Sequence, residues 1–302
     1  MALAPGVSST DPASAADIAA SGQNIDAPRL QIFVMALFFV FGGITSLNDV
    51  LIPKLKELFT LNYMQAMLVQ TAFFAAYAIV GIPGAALVKK VGYMRGAAIG
   101  LLTMMAGCLL FIPASASATF GVFLVALFVL ASGVTVVQVV ANPLISLLGP
   151  PQTTHSRLTF AQAFNSLGTT LFPYVGTIVM LGGLATVNAS ELTGAALSAY
   201  RVAETAAIER SYLGLAAVLA VIALAVWINR NRLPSEKHES GPILASFALL
   251  RLPRFGFGAA CIFLYVGAEV AIGSLIVNYV MLSHVLGLAE QDAGKLIPLY
   301  WG

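Results

Sequence analysis

Long stretches of this chain contain no charged residue, and this feature limits the possible folds more than any other. Lys, Arg, Asp and Glu make up 9% of the 302 residues, whereas 59% are hydrophobic. A soluble domain carries about 25% charged residues, and a transmembrane helix needs about 20 consecutive apolar ones. The sequence therefore predicts an all-α membrane protein that crosses the bilayer several times.

The uncharged stretches predict seven complete transmembrane spans and the start of an eighth. The first covers residues 31–48, and its helix can continue to about residue 56. The others cover 58–88, two spans within 96–156 that are separated by PASASAT (113–119), 158–189, 211–229, 255–283 with Glu269 as the one interruption, and a stretch that begins near 295. The last stretch ends at LYWG inside an apolar segment. We therefore expect the chain to be a C-terminally truncated form of a longer protein.

Basic residues are distributed unevenly between the segments that join the spans. With the N-terminus inside, ten of them fall in cytoplasmic segments and five in external ones, as the positive-inside rule requires. The sequence thus predicts a disordered cytoplasmic tail without a signal peptide at 1–28, a six-helix transmembrane bundle at 29–229, a cytoplasmic central loop at 230–254 and the incomplete start of a second bundle at 255–302.

The first six spans contain a weak internal repeat. GITSLNDVLIP (43–53) aligns without gaps on GVTVVQVVANP (133–143), with three identities in eleven positions and with Asn48 on Gln138. Two three-span repeats that follow one another directly have opposite orientations in the membrane. This is the inverted-repeat plan of secondary transporters, which bind substrate near the midplane where the repeats meet.

Polar residues in span one recur at helical spacing. Asn48 and Asp49 stand three and four residues after Thr45, so the three side chains share a face. Because a charged side chain is costly in hydrocarbon, we expect Asp49 to face a polar cavity inside the protein. The alternative is a solvated position at the outer end of the span, since Lys54 and Lys56 follow shortly afterwards.

Other spans contribute amides, aromatic rings and a second acid. Glu269 lies near the middle of span seven and shares a face with Tyr265. We expect Asp49 and Glu269 to couple transport to a proton or another cation. The candidate substrate-binding residues are Asn48, Gln138, Asn142, Gln162, Asn165, Phe73, Tyr77 and Tyr265. Interhelical hydrogen bonding is an equally good interpretation of the amides of spans four and five, and plain packing is the commoner role for the rings of span two.

This set of groups suits a small neutral polyhydroxylated ligand. Amides and carboxylates hydrogen-bond hydroxyl groups, and rings cover the apolar face of a sugar, whereas no Arg or Lys cluster lines the predicted faces. The net charge of +2 gives no nucleic-acid footprint. The motifs HExxH, GxxxxGK[ST], CxxC and GxSxG are absent from the sequence. We therefore expect no enzyme activity, no catalytic residue, no cofactor and no metal.

Four segments resemble the fucose–proton symporter family of the major facilitator superfamily. They are FGGITSLNDVLIP (41–53), VTVVQVVANP (134–143), SRLTFAQAFNSLGTTLFP (156–173) and FLYVGAEVAIGSLIVNY (263–279). The resemblance runs from about residue 30 to 302 and is greatest to the bacterial glucose/galactose transporters. It implies the major facilitator fold, a multi-pass protein of the bacterial inner membrane, and alternating-access import of a neutral hexose together with H⁺ or Na⁺.

The resemblance also implies roles by position. Asp49 matches the family aspartate that is associated with substrate and proton handling, and Gln162 and Asn165 match amides of the sugar cavity. The L-fucose permease has a glutamate where this chain has Gln138, and here the second membrane acid is Glu269. This difference argues against L-fucose specificity and leaves the coupling ion open. Another neutral sugar, such as L-fucose or an amino sugar, and an inactive truncated remnant are the alternatives.

Overall fold

A computed structural model describes residues 28–181, 192–230 and 248–301, and within these ranges the regular structure is helical without strands. The helices are α1 (Pro28–Leu58), α2 (Tyr63–Ala66), α3 (Leu68–Val91), α4 (Tyr93–Leu109), α5 (Phe111–Ser117), α6 (Phe120–Leu147), α7 (Thr154–Gly176), α8 (Gly194–Ile228), α9 (Pro253–Val280), α10 (Glu290–Gly294) and α11 (Ile297–Trp301). The predicted all-α fold class is confirmed. The predicted tail, except for its last residue, and most of the predicted central loop lie outside the described residues.

Six stretches of the described chain are long and apolar enough to cross a membrane. They are Leu30–Leu58, Tyr63–Val91, Tyr93–Ser117, Phe120–Leu147, Gly194–Ile228 and Pro253–Val280. They correspond to six of the seven complete spans that the sequence predicts. The predicted fifth span is α7, a helix at the expected place whose amides and hydroxyls make it too polar to qualify by composition. A π-helical turn, Thr177–Leu181, continues α7 after Pro173.

The boundary between the third and fourth predicted spans lies within the expected segment. Helix α5 continues through Pro113 and ends at Ser117, and Ala118 adopts a left-handed conformation with φ 43°. A residue in the left-handed conformation departs from the right-handed helical path, so α5 ends at this point. Helix α6 then begins at Phe120.

Helix α8 begins 17 residues before the predicted sixth span, at Gly194 instead of residue 211. The added segment contains charged residues, and these find partners on α1. Lys54 Nζ forms an ion pair with Glu204 Oε2 at 2.6 Å, and Arg201 Nε donates to the carbonyl of Leu58 at 2.8 Å. Lys54 is fully buried, whereas the sequence analysis counted it among the basic residues of the external segments. The predicted start of this span was therefore wrong, because pairing lets the helix include charges.

The helices of the bundle pack with their backbones close together. Helix α1 packs most extensively against α7, and α4 against α6. A Cβ atom on Gly168 of α7 would lie 2.1 Å from the carbonyl oxygen of Phe39, and one on Gly133 of α6 would lie 2.4 Å from the backbone nitrogen of Met104. Glycine at such positions allows the close helix contacts that are common in membrane proteins.

The contacts follow the symmetry that the repeat predicts. In the predicted repeat, α1 corresponds to α6 and α3 corresponds to α7. The α1–α7 contact therefore corresponds to the α6–α3 contact, and both are extensive. Thr45 Oγ1 donates to the carbonyl of Phe41 at 2.8 Å, and its equivalent Thr135 donates to the carbonyl of Ala131 at 2.8 Å. Helices α9 and α11 then pack across α1, and α11 also contacts α7. Polar residues of α1 are buried beneath them.

Candidate functional site

Asp49 is buried where α1 meets α3, α9 and α11, with 2% of its surface exposed. Gln70 Nε2 donates to Asp49 Oδ1 at 2.9 Å, and Trp301 Nε1 donates to Asp49 Oδ2 at 2.9 Å. The Ser274 hydroxyl donates to Oδ1 over 3.4 Å. We call these four residues the Asp49 cluster. Asp49 is thus enclosed by protein, and is not solvated at the end of the helix.

The Asp49 cluster holds the carboxylate with neutral groups. In the described part of the chain no Lys, Arg or His forms an ion pair with Asp49; the two pairs found there are Lys54–Glu204 and Lys295–Asp292. Hydrogen bonds to a charged group are stronger than those between neutral groups, so three donors make a buried carboxylate tolerable. Asp49 is thus a buried carboxylate without an ion-pair partner among the described residues.

Gln70 connects the members of the cluster but uses only half of its amide. Its Nε2 also donates to the Ser274 hydroxyl at 2.7 Å. Its Oε1 is buried and has no partner among the described residues. An amide oxygen that is buried without a hydrogen-bond donor costs about 1–3 kcal/mol. A new donor at Gln70 Oε1 would remove this cost, so the oxygen is available for a further hydrogen bond.

Asn48 is fully buried next to Asp49 in sequence, and neither Nδ2 nor Oδ1 has a partner in the described chain. A buried amide with both ends unpaired is rare in native proteins. Its two ends match a hydroxyl group, which both donates and accepts. The structure therefore leaves an unused donor and acceptor beside the Asp49 cluster.

A second polar group lies about one helical turn from Asp49. The Tyr77 hydroxyl lies near the side chains of Thr45 and Gln138. These three side chains come from α1, α3 and α6. Phe73 is fully buried, with its ring centroid 5.8 Å from that of Tyr77. Of these predicted residues, Tyr77 and Gln138 thus lie together, while Phe73 packs in the core.

The second predicted acid, Glu269, is half-buried on α9. The hydroxyl of Tyr265, which is 64% exposed, donates to Glu269 Oε1 at 2.9 Å, and the hydroxyl of Tyr300 donates to the backbone carbonyl of Glu269 at 2.9 Å. Tyr300 precedes Trp301, so two consecutive aromatic side chains of α11 reach the Glu269 backbone and the Asp49 carboxylate. Glu269 and the Asp49 cluster are therefore neighbours through α11.

Three predicted amides are not brought into the cluster. Asn142 and Gln162 are exposed on α6 and α7. Asn165 is half-buried, and a Cβ atom on Gly42 would lie 2.1 Å from its Oδ1, which has no hydrogen-bond partner in the described chain. These amides line other parts of α6 and α7, and Asn165 packs against α1.

Sequence reasoning missed two members of the cluster, Ser274 and Trp301. Ser274 carried a usable signal, because Asn278 follows it at helical spacing and both are buried on the same stretch of α9, with 2% and 8% exposed. Trp301 carried none, because nothing local links it to a residue 252 positions earlier. Gln70 shares a face of span two with Phe73 and Tyr77 by helical spacing, but nothing in the sequence marks it as a partner of Asp49.

Comparison with known proteins agrees with this architecture. The model of the Major Facilitator Superfamily matches residues 34–302. A glucose/galactose transporter of Brucella abortus biovar 1 (strain 9-941) is 45% identical over 271 residues, which are 88% of this chain and 62% of that protein. A putative glucose/galactose transporter of Helicobacter pylori (strain J99 / ATCC 700824) is 38% identical over 267 residues, covering 88% and 63% respectively.

Solved structures give the same result for the fold. The crystal structure of the Escherichia coli fucose:proton symporter FucP superposes with a TM-score of 0.71 at 27% identity, over 89% of this chain and 67% of that chain. The chain spans about three fifths of the length of the two transporters named above. Its helical fold and the match over residues 34–302 show that the chain belongs to the major facilitator superfamily.

Proposed function

We propose that this chain belongs to a secondary active transporter that imports a neutral hexose of the glucose or galactose type by symport with H⁺ or Na⁺. Its place is the bilayer of the bacterial inner membrane, with the N-terminus in the cytoplasm. The observation that carries the proposal is Asp49, a buried carboxylate held only by neutral donors. The names of the relatives support the sugar, and that of FucP supports proton coupling.

Asp49 is the coupling group in this proposal. A charged carboxylate resists transfer into an apolar contact, and a bound proton or cation removes that resistance. Neutralised Asp49 therefore permits the two helical halves to rock around the site, which is the basis of alternating access. Glu269 is the second coupling acid, and it lies on the opposite half.

The sugar site is built around the unpaired and half-buried amides. Asn48 has a free donor and a free acceptor for a sugar hydroxyl, and Gln138 with Tyr77 presents a second polar group on the same side of α1. The indole of Trp301 and the exposed ring of Tyr265 supply aromatic surface. Asn142, Gln162 and Asn165 extend the polar surface along α6 and α7 when the halves separate.

Uptake of labelled glucose, galactose and L-fucose into cells tests the proposal. The 302-residue chain and a version extended to the length of its relatives are compared. A proton uncoupler abolishes accumulation if H⁺ is the coupling ion, and removal of sodium abolishes it if Na⁺ is. No accumulation of any of the three sugars by a membrane-inserted extended chain would contradict hexose symport.

Asp49→Asn tests the coupling group in the same assay. We expect sugar exchange to persist and uphill accumulation to be lost, because the amide keeps the shape of the side chain but cannot be protonated. Asp292→Asn is the matched control, since that exposed carboxylate pairs with Lys295 at 2.7 Å and lies outside the cluster. Accumulation that survives Asp49→Asn would remove Asp49 from the coupling role.

A further inference from the structure

We propose that Gln70, Ser274 and Trp301 form a charge-dependent latch on Asp49, which holds α9 and α11 against α1 while the carboxylate is ionised and loosens when it is protonated. This inference rests on the proposed function, in which Asp49 carries the coupling charge. In it, Gln70, Ser274 and Trp301 act as positioning residues, because they act through Asp49.

The donors around Asp49 fit an ionised carboxylate. The Gln70 amide and the Trp301 indole each direct an N–H at one oxygen, at 2.9 Å, and Ser274 adds a hydroxyl at 3.4 Å. An indole N–H has no acceptor atom, so a proton on Oδ2 would face another hydrogen. A proton on Oδ1 would face the Gln70 NH₂ group. The observed pattern is thus complete for the ionised state. For the protonated state, of the three donors only the Ser274 hydroxyl could accept the new proton, over 3.4 Å.

Gln70 can supply the pattern for the protonated state. Its Oε1 is buried and unpaired, so a half-turn of the amide would replace the donor at Asp49 with an acceptor. Gln70 Oε1 would then accept a hydrogen bond from the protonated Asp49 carboxyl, and the Ser274 hydroxyl could also donate to Gln70 Oε1. The bond from Trp301 would remain, but to an uncharged oxygen, and hydrogen bonds to neutral acceptors are about half as strong.

The latch connects two parts of the chain that are far apart in sequence. Asp49 and Gln70 belong to the predicted first bundle, whereas Ser274 and Trp301 follow the predicted central loop. Ser274 and Trp301 are held together because Gly273 accommodates the indole, which a Cβ atom there would approach to 2.8 Å. The bond from Tyr300 to the Glu269 carbonyl joins α11 to α9 as well. Weakening the Asp49 contacts therefore releases α9 and α11 together.

Other ionisable groups lie on the elements that pack around Asp49 and must be separated from it in any test. They include Tyr300 on α11, Glu269, Tyr265 and Tyr279 on α9, Tyr77 on α3, the Lys54–Glu204 pair between α1 and α8, and His155, Arg157 and Tyr174 on α7. Glu269 is the acid among them that is nearest to the latch through α11, so its amide variant is the appropriate control.

Intrinsic fluorescence tests the latch without sugar. The chain contains two tryptophans, and Trp227 on α8 is 47% exposed and stacks under Arg230. Trp227→Phe therefore leaves the latch indole as the only tryptophan, which is excited selectively over the tyrosines. In the purified chain we expect its emission to shift in one step across a pH titration. Adding Asp49→Asn should abolish the shift, and adding Glu269→Gln should leave it in place.

An emission that does not change with pH, or a change that persists with Asp49→Asn, would overturn the latch. Because no sugar is present, this outcome is independent of whether the chain transports hexoses. If the fluorescence result is as expected but no sugar is accumulated, the proposed function fails and the charge-dependent contact stands.

Transport gives a second test in the extended chain. Trp301→Phe keeps a smaller aromatic ring and removes the N–H, and we expect it to lower uphill accumulation about tenfold, the effect of about one hydrogen bond to a charged group. In an Asp49→Asn background it should not lower sugar exchange further. An equal loss of exchange with and without Asp49→Asn would mean that Trp301 only packs, and would overturn its role in the latch.

Discussion

Asn48 is the residue at which stability and binding conflict most directly. Its amide is fully buried and both polar atoms are unpaired, so in this arrangement it contributes a desolvation penalty and no hydrogen bond. Such a side chain makes no favourable contribution to the free energy of folding. The arrangement is understandable if another conformation exposes Asn48 to a hydroxylated ligand.

We predict that Asn48→Leu keeps or raises the thermal stability of the protein while it lowers hexose binding at least tenfold. Replacing an unpaired buried amide by an apolar group of similar size removes the penalty. Thermal unfolding in detergent and sugar binding to the same preparation measure the two effects. Leu47→Asn is the matched control, because it places a new amide in a neighbouring buried position and should lower the melting temperature. A loss of stability with Asn48→Leu equal to that control would mean that Asn48 has partners.

Helical spacing predicted which polar residues share a face, but not which face meets another helix. The grouping of Asn48 and Asp49 follows from positions along one helix, and both are buried. The same rule applied to Asn142 and Gln162 gave residues that are exposed. Burial depends on contacts with distant segments, such as the 225 residues that separate Asp49 from Ser274. A single sequence contains no information of that range.

At the scale of whole helices, the Lys54–Glu204 pair fixes the C-terminal half of α1 to α8. Lys54 has no exposed surface, and the Glu204 side chain is 12% exposed. Lys54 follows Pro53, which interrupts the hydrogen bonds of α1, and it lies five residues after Asp49. The pair therefore fastens α1 to α8 on the C-terminal side of Pro53, whereas Asp49 lies on the N-terminal side.

We predict that Lys54→Met lowers the free energy of unfolding by about 3 kcal/mol, because it leaves a buried carboxylate unpaired. Lys54→Met combined with Glu204→Leu should recover most of the loss, since two apolar side chains can replace a buried pair. Lys56→Met is the control on the same helix. Lys56 stacks over Tyr63 at 4.4 Å, and its loss should cost less than about 1 kcal/mol. If the double variant is no better than the single one, the pair does not act through its charges.

The α1–α7 contact depends on a glycine. We predict that Gly168→Ala destabilises the bundle by about 1–3 kcal/mol, since the added methyl would lie 2.1 Å from the Phe39 carbonyl and would push the helices apart. Gly214→Ala is the matched control on α8, where a Cβ atom meets nothing within 4 Å. There alanine should stabilise the helix slightly. Chemical unfolding followed by helical content measures both, and equal effects would contradict close packing at Gly168.

The elements themselves were predictable to the extent that apolar length defines them. The uncharged-run criterion located α1, α3, α6 and α9, because these helices have few charges to interrupt the pattern. It placed the start of α8 at residue 211, because Glu209 and Arg210 end the uncharged run there. The helix in fact also includes Arg201 and Glu204, and both have partners on α1. Charge pairing between helices is a tertiary property, and a criterion based on local composition cannot include it.

At the scale of the molecule, the two parts of the chain touch at one end of α9. Gly273, Ser274, Val277, Asn278 and Val280 are buried there, whereas Ile262, Phe263 and Leu264 nearer its start are at least 65% exposed. The buried end is the one that follows Glu269 and encloses Asp49. If the N-terminus is cytoplasmic, this end of α9 faces the outside. The contact of α9 and α11 with Asp49 would then lie towards the external side.

Orientation in the membrane therefore decides on which side the latch lies. We predict that Met64→Cys reacts with a membrane-impermeant maleimide in intact cells and that Gln152→Cys reacts only after permeabilisation. Met64 is 82% exposed between α1 and α3, and Gln152 is exposed between α6 and α7, so accessibility on each side does not limit the reaction. Cys108 and Cys261 are replaced by alanine in both variants, and this background without new cysteines is the control for labelling. The positive-inside distribution of basic residues is the physical reason for the expected result. Labelling of Gln152→Cys in intact cells would place the N-terminus outside, and the contact of α9 and α11 with Asp49 would then lie towards the cytoplasmic side instead.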